Sequence, residues 1–306
     1  MTVRERVAGA PISWGVCEVA DWGHQLGPER VLAEMREVGL VATEFGPDGF
    51  LPDPGILASF GLAAVGGFVP VVLHESTVDV MSAVTPKLDE FVAAGAGTLV
   101  LAADSGLPGY DERVELEDKA WRTLLDNLDR IRDAAGERGV VAALHPHVGT
   151  VVERGPEVWR VLHGSAIPLC LDTGHLLIGG TDPAELVAQV PDRVAHTHLK
   201  DVDAWLAAAV RAGERGYHEA VAEGMYRPLG QGDVDFARIV STLEGNGYTG
   251  WYVMEQDAVL AAEPAPGEGP VSDVRASLSF LDSLASGGGS SEGGSSEGGS
   301  SGGGRG

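Results

Sequence analysis

The 306-residue chain is poor in three things: cysteine, basic residues and long apolar runs. Its two cysteines, Cys17 and Cys170, lie far apart and outside any CxxC pair, which excludes a disulfide-stapled scaffold and a cysteine-rich zinc module. Each sits in apolar or near-apolar surroundings, where a small buried thiol is expected. Lys and Arg number 21 against 45 Asp and Glu, so the net charge of −24 opposes phosphate backbones and anionic lipid; neither nucleic acid nor a membrane surface is expected as a partner. No run approaches the ~20 apolar residues that span a bilayer. The opening MTVRERVAGAPISWG has charges but no apolar stretch of a secretory signal, so the cytoplasm is the expected compartment. Two motifs are absent as well: GxSxG, and a glycine-rich phosphate turn after the first apolar run, which reads Ser13-Trp14-Gly15-Val16-Cys17.

What is present is a rhythm. Eight short apolar runs, Val7–Trp14, Val41–Phe45, Ala63–Val69, Thr98–Ala102, Val140–His145, Pro168–Leu171, Val194–His198 and Gly250–Met254, alternate with segments of helical periodicity. Trp121, Leu124, Leu125, Leu128 and Ile131 share one helix face, as do Phe236, Ile239, Val240 and Leu243. Gly27-Pro28-Glu29 reads as a helix start, and Gly136, Gly139 and Gly247 as stops. Continuously apolar strands belong in a sheet covered on both faces. Eight strand–helix units predict a (β/α)8 barrel over residues 1–285, in preference to a doubly wound sheet. Residues 286–306, almost entirely Gly, Ser and Glu, read as a disordered tail that cannot bury a core. Between the seventh and eighth runs the rhythm lapses from Asp201 to Asp233, where a helix around Trp205, Leu206 and Val210 and a closing loop RPLGQGD are expected. Trp205 is placed there either as part of a lid or as an anchor for that helix.

A barrel places its chemistry at the C-terminal ends of its strands. Those ends read Glu44, Asp104, His145-Pro146-His147, Asp172-Thr173-Gly174-His175, His196-Thr197-His198-Leu199-Lys200-Asp201 and Glu255-Gln256-Asp257, and they gather five of the nine histidines. Imidazole and carboxylate converging at one mouth compose a site for a divalent cation, with Asp172, His198 and Glu255 on adjacent ends and His145 as the fourth candidate. Mixed N/O ligation suits Mn2+, Co2+, Fe2+ or Zn2+. Strand alternation turns His145 and His147 the same way, and likewise His196 and His198. Trp14, Trp22 and Phe45 stand near the first two ends and are expected to stack on a sugar ring or to pack the rim; Glu44 is the carboxylate placed to bind substrate hydroxyls.

At these residues the chain resembles the xylose isomerase-like barrel superfamily, through LCLDTGH (169–175), HTHLKD (196–201) and VMEQD (253–257). Within it, HPHVGT (145–150), AVRAG (209–213), PLGQGDVDF (228–236) and the opening PISWG resemble the inosose dehydratases of myo-inositol catabolism. The resemblance implies Asp172, His198 and Glu255 as metal ligands, with His145 where epimerase and isomerase relatives carry a Glu. It implies dehydration of 2-keto-myo-inositol to a cyclic dione through a metal-held enediolate, with Mn2+ or Co2+ as cofactor and an unphosphorylated polyol-ketone or sugar as substrate. The alternative it leaves open is a sugar isomerase or epimerase. Lys200, with a pKa depressed beside the cation, is then expected as the base, and His147 or His175 as the acid. Barrels of this kind commonly pair, so a homodimer is expected.

Overall fold

A computed structural model describes residues 2–287 apart from 20, 52 and 54. Every apolar run forms a strand. β1 (Val7–Gly9), β2 (Ala42–Thr43), β3 (Ala63–Ala64), β4 (Gly66–Val71), β5 (Thr98–Ala103), β6 (Val141–Leu144), β7 (Leu169–Asp172), β8 (Val194–Leu199) and β11 (Tyr252–Met254) make one sheet. Its pairings are all parallel, in the order β3-β2-β1-β11-β8-β7-β6-β5-β4. Its two edges, β3 and β4, are halves of the third run separated by Val65 alone, so the chain itself closes the ring. Val65 serves both neighbours: its N–H donates to Thr43 O at 3.0 Å, and its carbonyl accepts from Gly97 and Thr98. Such a crossing needs close backbone approach. A Cβ on Gly66 would sit 2.1 Å from the Thr98 carbonyl oxygen, so only glycine fits there.

Amphipathic helices form the outer layer. α1 (Pro28–Glu37) starts at the proline after Gly27, which pre-sets helical φ. α2 (Ile56–Ser59) and α3 (Val80–Ala94) follow, and α4 (Asp118–Gly136) buries Trp121, Leu124, Leu128 and Ile131 while Leu125 lies half-buried at the stripe's edge. The remaining helices are α5 (Gly155–Gly164), α6 (Thr173–Ile178), α7 (Pro183–Gln189), α8 (Ala204–Arg211), α9 (Tyr217–Ala222), α10 (Phe236–Gly245) and α11 (Pro270–Gly287). α10 buries the four apolar residues expected of it. α11 continues two residues past the expected domain boundary at 285, and the tail from residue 288 on lies outside the described residues. Among the described residues no helix is long and apolar enough to cross a membrane.

The first run ends earlier than its apolar pattern implies. After Gly9 the chain turns into a 3-10 segment, Pro11–Trp14, closed by Gly15 at φ 77°. That turn carries Trp14 away from the mouth: the indole is fully buried and its Nε1–H donates to Glu34 of α1 at 2.8 Å.

The insertion from Asp201 to Asp233 is more ordered than a loop. β9 (Asp201–Val202) pairs antiparallel with β10 (Tyr226–Arg227), with α8 and α9 between them. Asp201 is fully buried, and its carboxylate accepts from the backbone N–H groups of Gly230, Gly232 and Val234 at 2.8–3.1 Å. A Cβ on Gly232 would meet Asp201 Oδ1 at 2.4 Å. α8 packs through Leu206, Ala207 and Ala209, whereas Trp205 stands 71% exposed and anchors nothing.

At the opposite end of the barrel, Arg6 ties the start of the chain to its last strand–helix unit. It is 4% exposed and donates to the carbonyls of Tyr248 and Gly250 at 2.9 and 3.1 Å, and to Glu244 of α10 at 2.5 Å. Arg6→Met should strand those acceptors and lower stability by about 2 kcal/mol. The melting midpoint should then drop by roughly 4–8 °C, a shift that differential scanning calorimetry reads directly. An unchanged midpoint would mean that water replaces the guanidinium without cost.

Candidate active site

The functional side chains follow from where parallel strands stop. Glu44 comes directly after β2, His145 after β6, Lys200 after β8 and Glu255 after β11; Asp172 is the last residue of β7, paired in register with His198. They meet at a cavity of about 340 Å3 whose wall includes Glu44, His145, His147, His198, Lys200 and Glu255. That volume suits a small ligand of a few rings or less. Trp14 is not part of this wall, so the expectation that it stacks on substrate is corrected by the turn at Pro11–Trp14. Phe45 instead packs on Phe91, at 5.2 Å between ring centroids. The aromatic faces at the cavity belong to Trp22, Phe68 and Tyr110. Phe68 and Tyr110 lie against the His147 ring at 5.6 and 5.1 Å, and neither was singled out in the sequence.

Asp172 is the centre of the polar cluster. Its Oδ1 caps α6 by accepting from the His175 N–H at 2.8 Å, which leaves Oδ2 for the interior. There the His145 Nε2–H donates to it at 2.9 Å, with His198 Nδ1 at 3.7 Å and Lys200 Nζ at 3.9 Å. Burial alone would raise this carboxyl, but His175 and Lys200 nearby and the hydrogen bond from His145 outweigh it and hold Asp172 well below the usual range.

Three donors answer the test for a cation. His198 Nδ1 is buried with no hydrogen-bond partner, 3.2 Å from Glu255 Oε2 and 3.7 Å from Asp172 Oδ2. One imidazole nitrogen facing two carboxylate oxygens at such separations fits ligand atoms around one divalent ion with metal–ligand bonds of about 2.0–2.2 Å. Burial disfavours the charged ring, but Cys170, Glu255 and Glu44 outweigh it and raise His198 well above its ordinary value, so a cation there would take the place of the Nδ1 proton. His145 stands next to this set: its Nε2 lies 2.9 Å from Asp172 Oδ2, and it groups both with Asp172 and His175 and with Cys170 and His198. On its other side His198 donates Nε2–H to Glu44 Oε1 at 3.0 Å, and His196 Nε2–H reaches the same oxygen at 2.8 Å. The two imidazoles thus turn the same way, as alternation along β8 requires.

The expectation of a depressed pKa for Lys200 concerns the cation-loaded site; without the cation its carboxylate neighbours act in the other direction. Its ammonium is 3% exposed and lies 2.6 Å from Asp257 Oδ1 and 3.1 Å from Glu255 Oε2. Burial disfavours the charge, but Asp257, Glu255 and Asp172 more than compensate and raise Lys200 well above its ordinary value. Held as an ammonium, it is a proton donor. His147 is the reverse case. Burial, with the charges of His145 and Lys200, pushes its pKa well below the usual range, and its Nδ1–H donates to the Val148 carbonyl at 2.7 Å. The neutral ring therefore keeps its lone pair on Nε2. His175 stacks on it at 3.7 Å between centroids and places Nε2 3.3 Å from Lys200 Nζ.

Asp257 and Tyr217 complete the site from outside the sequence expectations. Asp257 Oδ2 accepts from Tyr217 OH at 2.8 Å, and Tyr217 OH also lies 2.8 Å from Tyr226 OH. Both tyrosines come from the Asp201–Asp233 insertion, so that segment reaches Lys200 through Asp257. Asp257 stood in the phrase EQD; its partner in α9 carried no signal readable along the chain. The two cysteines are free and buried, Cys170 beneath His198 and Cys17 at the cavity wall.

Fold and site together define a parallel α/β barrel with a nitrogen and oxygen donor centre at its C-terminal mouth. The chain belongs to the xylose isomerase-like TIM barrel family, whose pattern matches residues 73–284. It is 32% identical to the rhizopine catabolism protein MocC of Rhizobium meliloti over 265 residues, covering 82% of this chain and 81% of that one. It is 31% identical to the inosose dehydratase of Geobacillus kaustophilus over 280 residues, covering 84% and 89%. Among solved structures, the IOLI protein with a bound zinc atom shares the fold with a TM-score of 0.66 at 14% identity, over 92% of this chain and 98% of that one.

Proposed function

We propose that the protein is a hydro-lyase that removes water from 2-keto-myo-inositol to give a cyclic dione, using a divalent cation held by Asp172, His198 and Glu255. Mn2+ or Co2+ suits this mixed donor set. The observation that carries the reading is the unpartnered Nδ1 of His198 turned to two carboxylates beside a buried ammonium and a neutral imidazole. The 31% identity to an inosose dehydratase supports the choice of substrate. When bound, such a cation acts as a Lewis acid on the substrate carbonyl and acidifies the adjacent C–H.

The chain's own groups then divide the proton traffic. His147, neutral and with Nε2 basic, accepts the proton from the carbon beside the carbonyl. Lys200, already charged, gives a proton to the departing hydroxyl, which leaves as water. His175 stacks on His147 and places Nε2 beside Lys200, and both proton-handling groups regain their starting states by exchange with water between turnovers. Glu44 and the aromatic wall of Trp22, Phe68 and Tyr110 enclose the ring of a polyol-ketone.

Mass spectrometry of 2-keto-myo-inositol incubated with protein stripped by chelator, then refilled with Mn2+ or Co2+, tests this. Loss of one water only in the refilled sample is expected. A new product of unchanged mass would replace the dehydratase by an isomerase or epimerase; loss of water in the stripped sample would remove the cation from the reaction.

A further inference from the structure

We infer that Glu44 is a positioning residue that sets the tautomer and aim of His198, and that His196 fixes Glu44 in turn. This rests on the cation site proposed above. The argument begins with a single oxygen. Glu44 Oε1 is the acceptor for both His196 Nε2–H at 2.8 Å and His198 Nε2–H at 3.0 Å. A carboxylate accepts and does not donate, so both imidazoles present an Nε2–H to it and turn Nδ1 the other way. In His198, Nδ1 is the atom facing Glu255 and Asp172, the place where a cation would need its lone pair. With the other tautomer, His198 would present an N–H to the place where a cation must be met by a lone pair.

The surroundings make this choice firm. Glu44, His196 and His198 are each at most 3% exposed, so their hydrogen bonds lie in a low-dielectric interior. The three side chains come from distant parts of the chain, Glu44 from the end of β2 and both histidines from β8, and meet across the barrel interior. Alternation along β8 puts His196 and His198 on one face, which is why one carboxylate can hold both. A carboxylate behind a ligating imidazole also raises its basicity, and loss of such a partner weakens metal binding by about 10–100-fold. His196 Nδ1 has no hydrogen-bond partner either, so His196 serves Glu44 alone among the described residues. Glu44 reaches the cavity wall, yet the oxygen that binds the histidines is committed before any substrate arrives.

The test uses full-length protein stripped by chelator and titrated with Mn2+ in a calorimeter. Glu44→Gln should bind Mn2+ about 10–100-fold more weakly than the wild type, and the visible bands of the Co2+ form should shift as the imidazole ligand changes its aim. His196→Gln should weaken Mn2+ in the same direction by less, and it carries the test if Glu44→Gln does not fold. Wild-type Mn2+ affinity in Glu44→Gln, whatever its melting temperature, would overturn the inference. So would an intact Mn2+ affinity with weakened substrate binding, which would make Glu44 a substrate contact. A wild-type protein that binds no Mn2+ would overturn the cation site itself, a separate result.

Discussion

Asp172→Asn should lose its divalent cation and its turnover while keeping its fold. The two oxygens of Asp172 have separate duties. Oδ1 caps α6 through the His175 N–H, and an asparagine oxygen performs that capping as well as an aspartate. Oδ2 carries the charge that faces His145, His198 and Lys200, and that charge is what the substitution removes. Losing a direct ligand should cost more than the ~10–100-fold found when only outer partners are lost. Metal analysis of the purified variant should therefore find little Mn2+ or Co2+ where the wild type retains it, with turnover lost in parallel. A wild-type metal content in Asp172→Asn would remove Asp172 from the ligand set.

The second large effect concerns Lys200. Lys200→Met keeps much of the side chain's length and loses the ammonium that sits between Asp257 and Glu255. Turnover should fall by about 10²–10⁴-fold, the usual contribution of a positioned proton donor, while cation content is retained because the three ligands are untouched. The companion His147→Gln should fall by a similar factor, since its amide has no basic nitrogen to receive a proton. Near-wild-type turnover in Lys200→Met would end the assignment of Lys200 as the acid.

These two residues also show where reading along the chain succeeds and where it stops. The barrel was legible because its strands are buried on both faces and so appear as unbroken apolar runs; each run contains a strand. The break of the third run at Val65 was not, because it depends on two neighbours competing for one backbone, which leaves no mark except two adjacent glycines. Asp172, His198 and Glu255 could be picked out because strand ends converge by topology alone. The ion pair of Lys200 could not, since its partner Asp257 lies 57 residues away and a local phrase carries no distance across the barrel. Glu44 was recognisable as a strand-end carboxylate, but its partners lie 152 and 154 residues on. Trp14 misled for a simpler reason: an apolar residue after a strand and one in a tight turn look alike until the turn is seen.

The insertion between β8 and β11 has a bearing on how such barrels diversify. Asp201 binds the far end of that segment to its own beginning through three backbone N–H groups, so the segment is closed on itself by a residue it contains. Outward it delivers Tyr217 to Asp257, Tyr226 to Lys200, His218 to the Trp22 carbonyl and Arg211 to those of Leu177 and Ile178. A segment with its own clasp is a transplantable unit wherever the host barrel offers these partners. Exchanged between related barrels from Asp201 through Asp233, it should carry its shape with it and alter the roof over the substrate; cut after Asp201, it would leave its clasp behind.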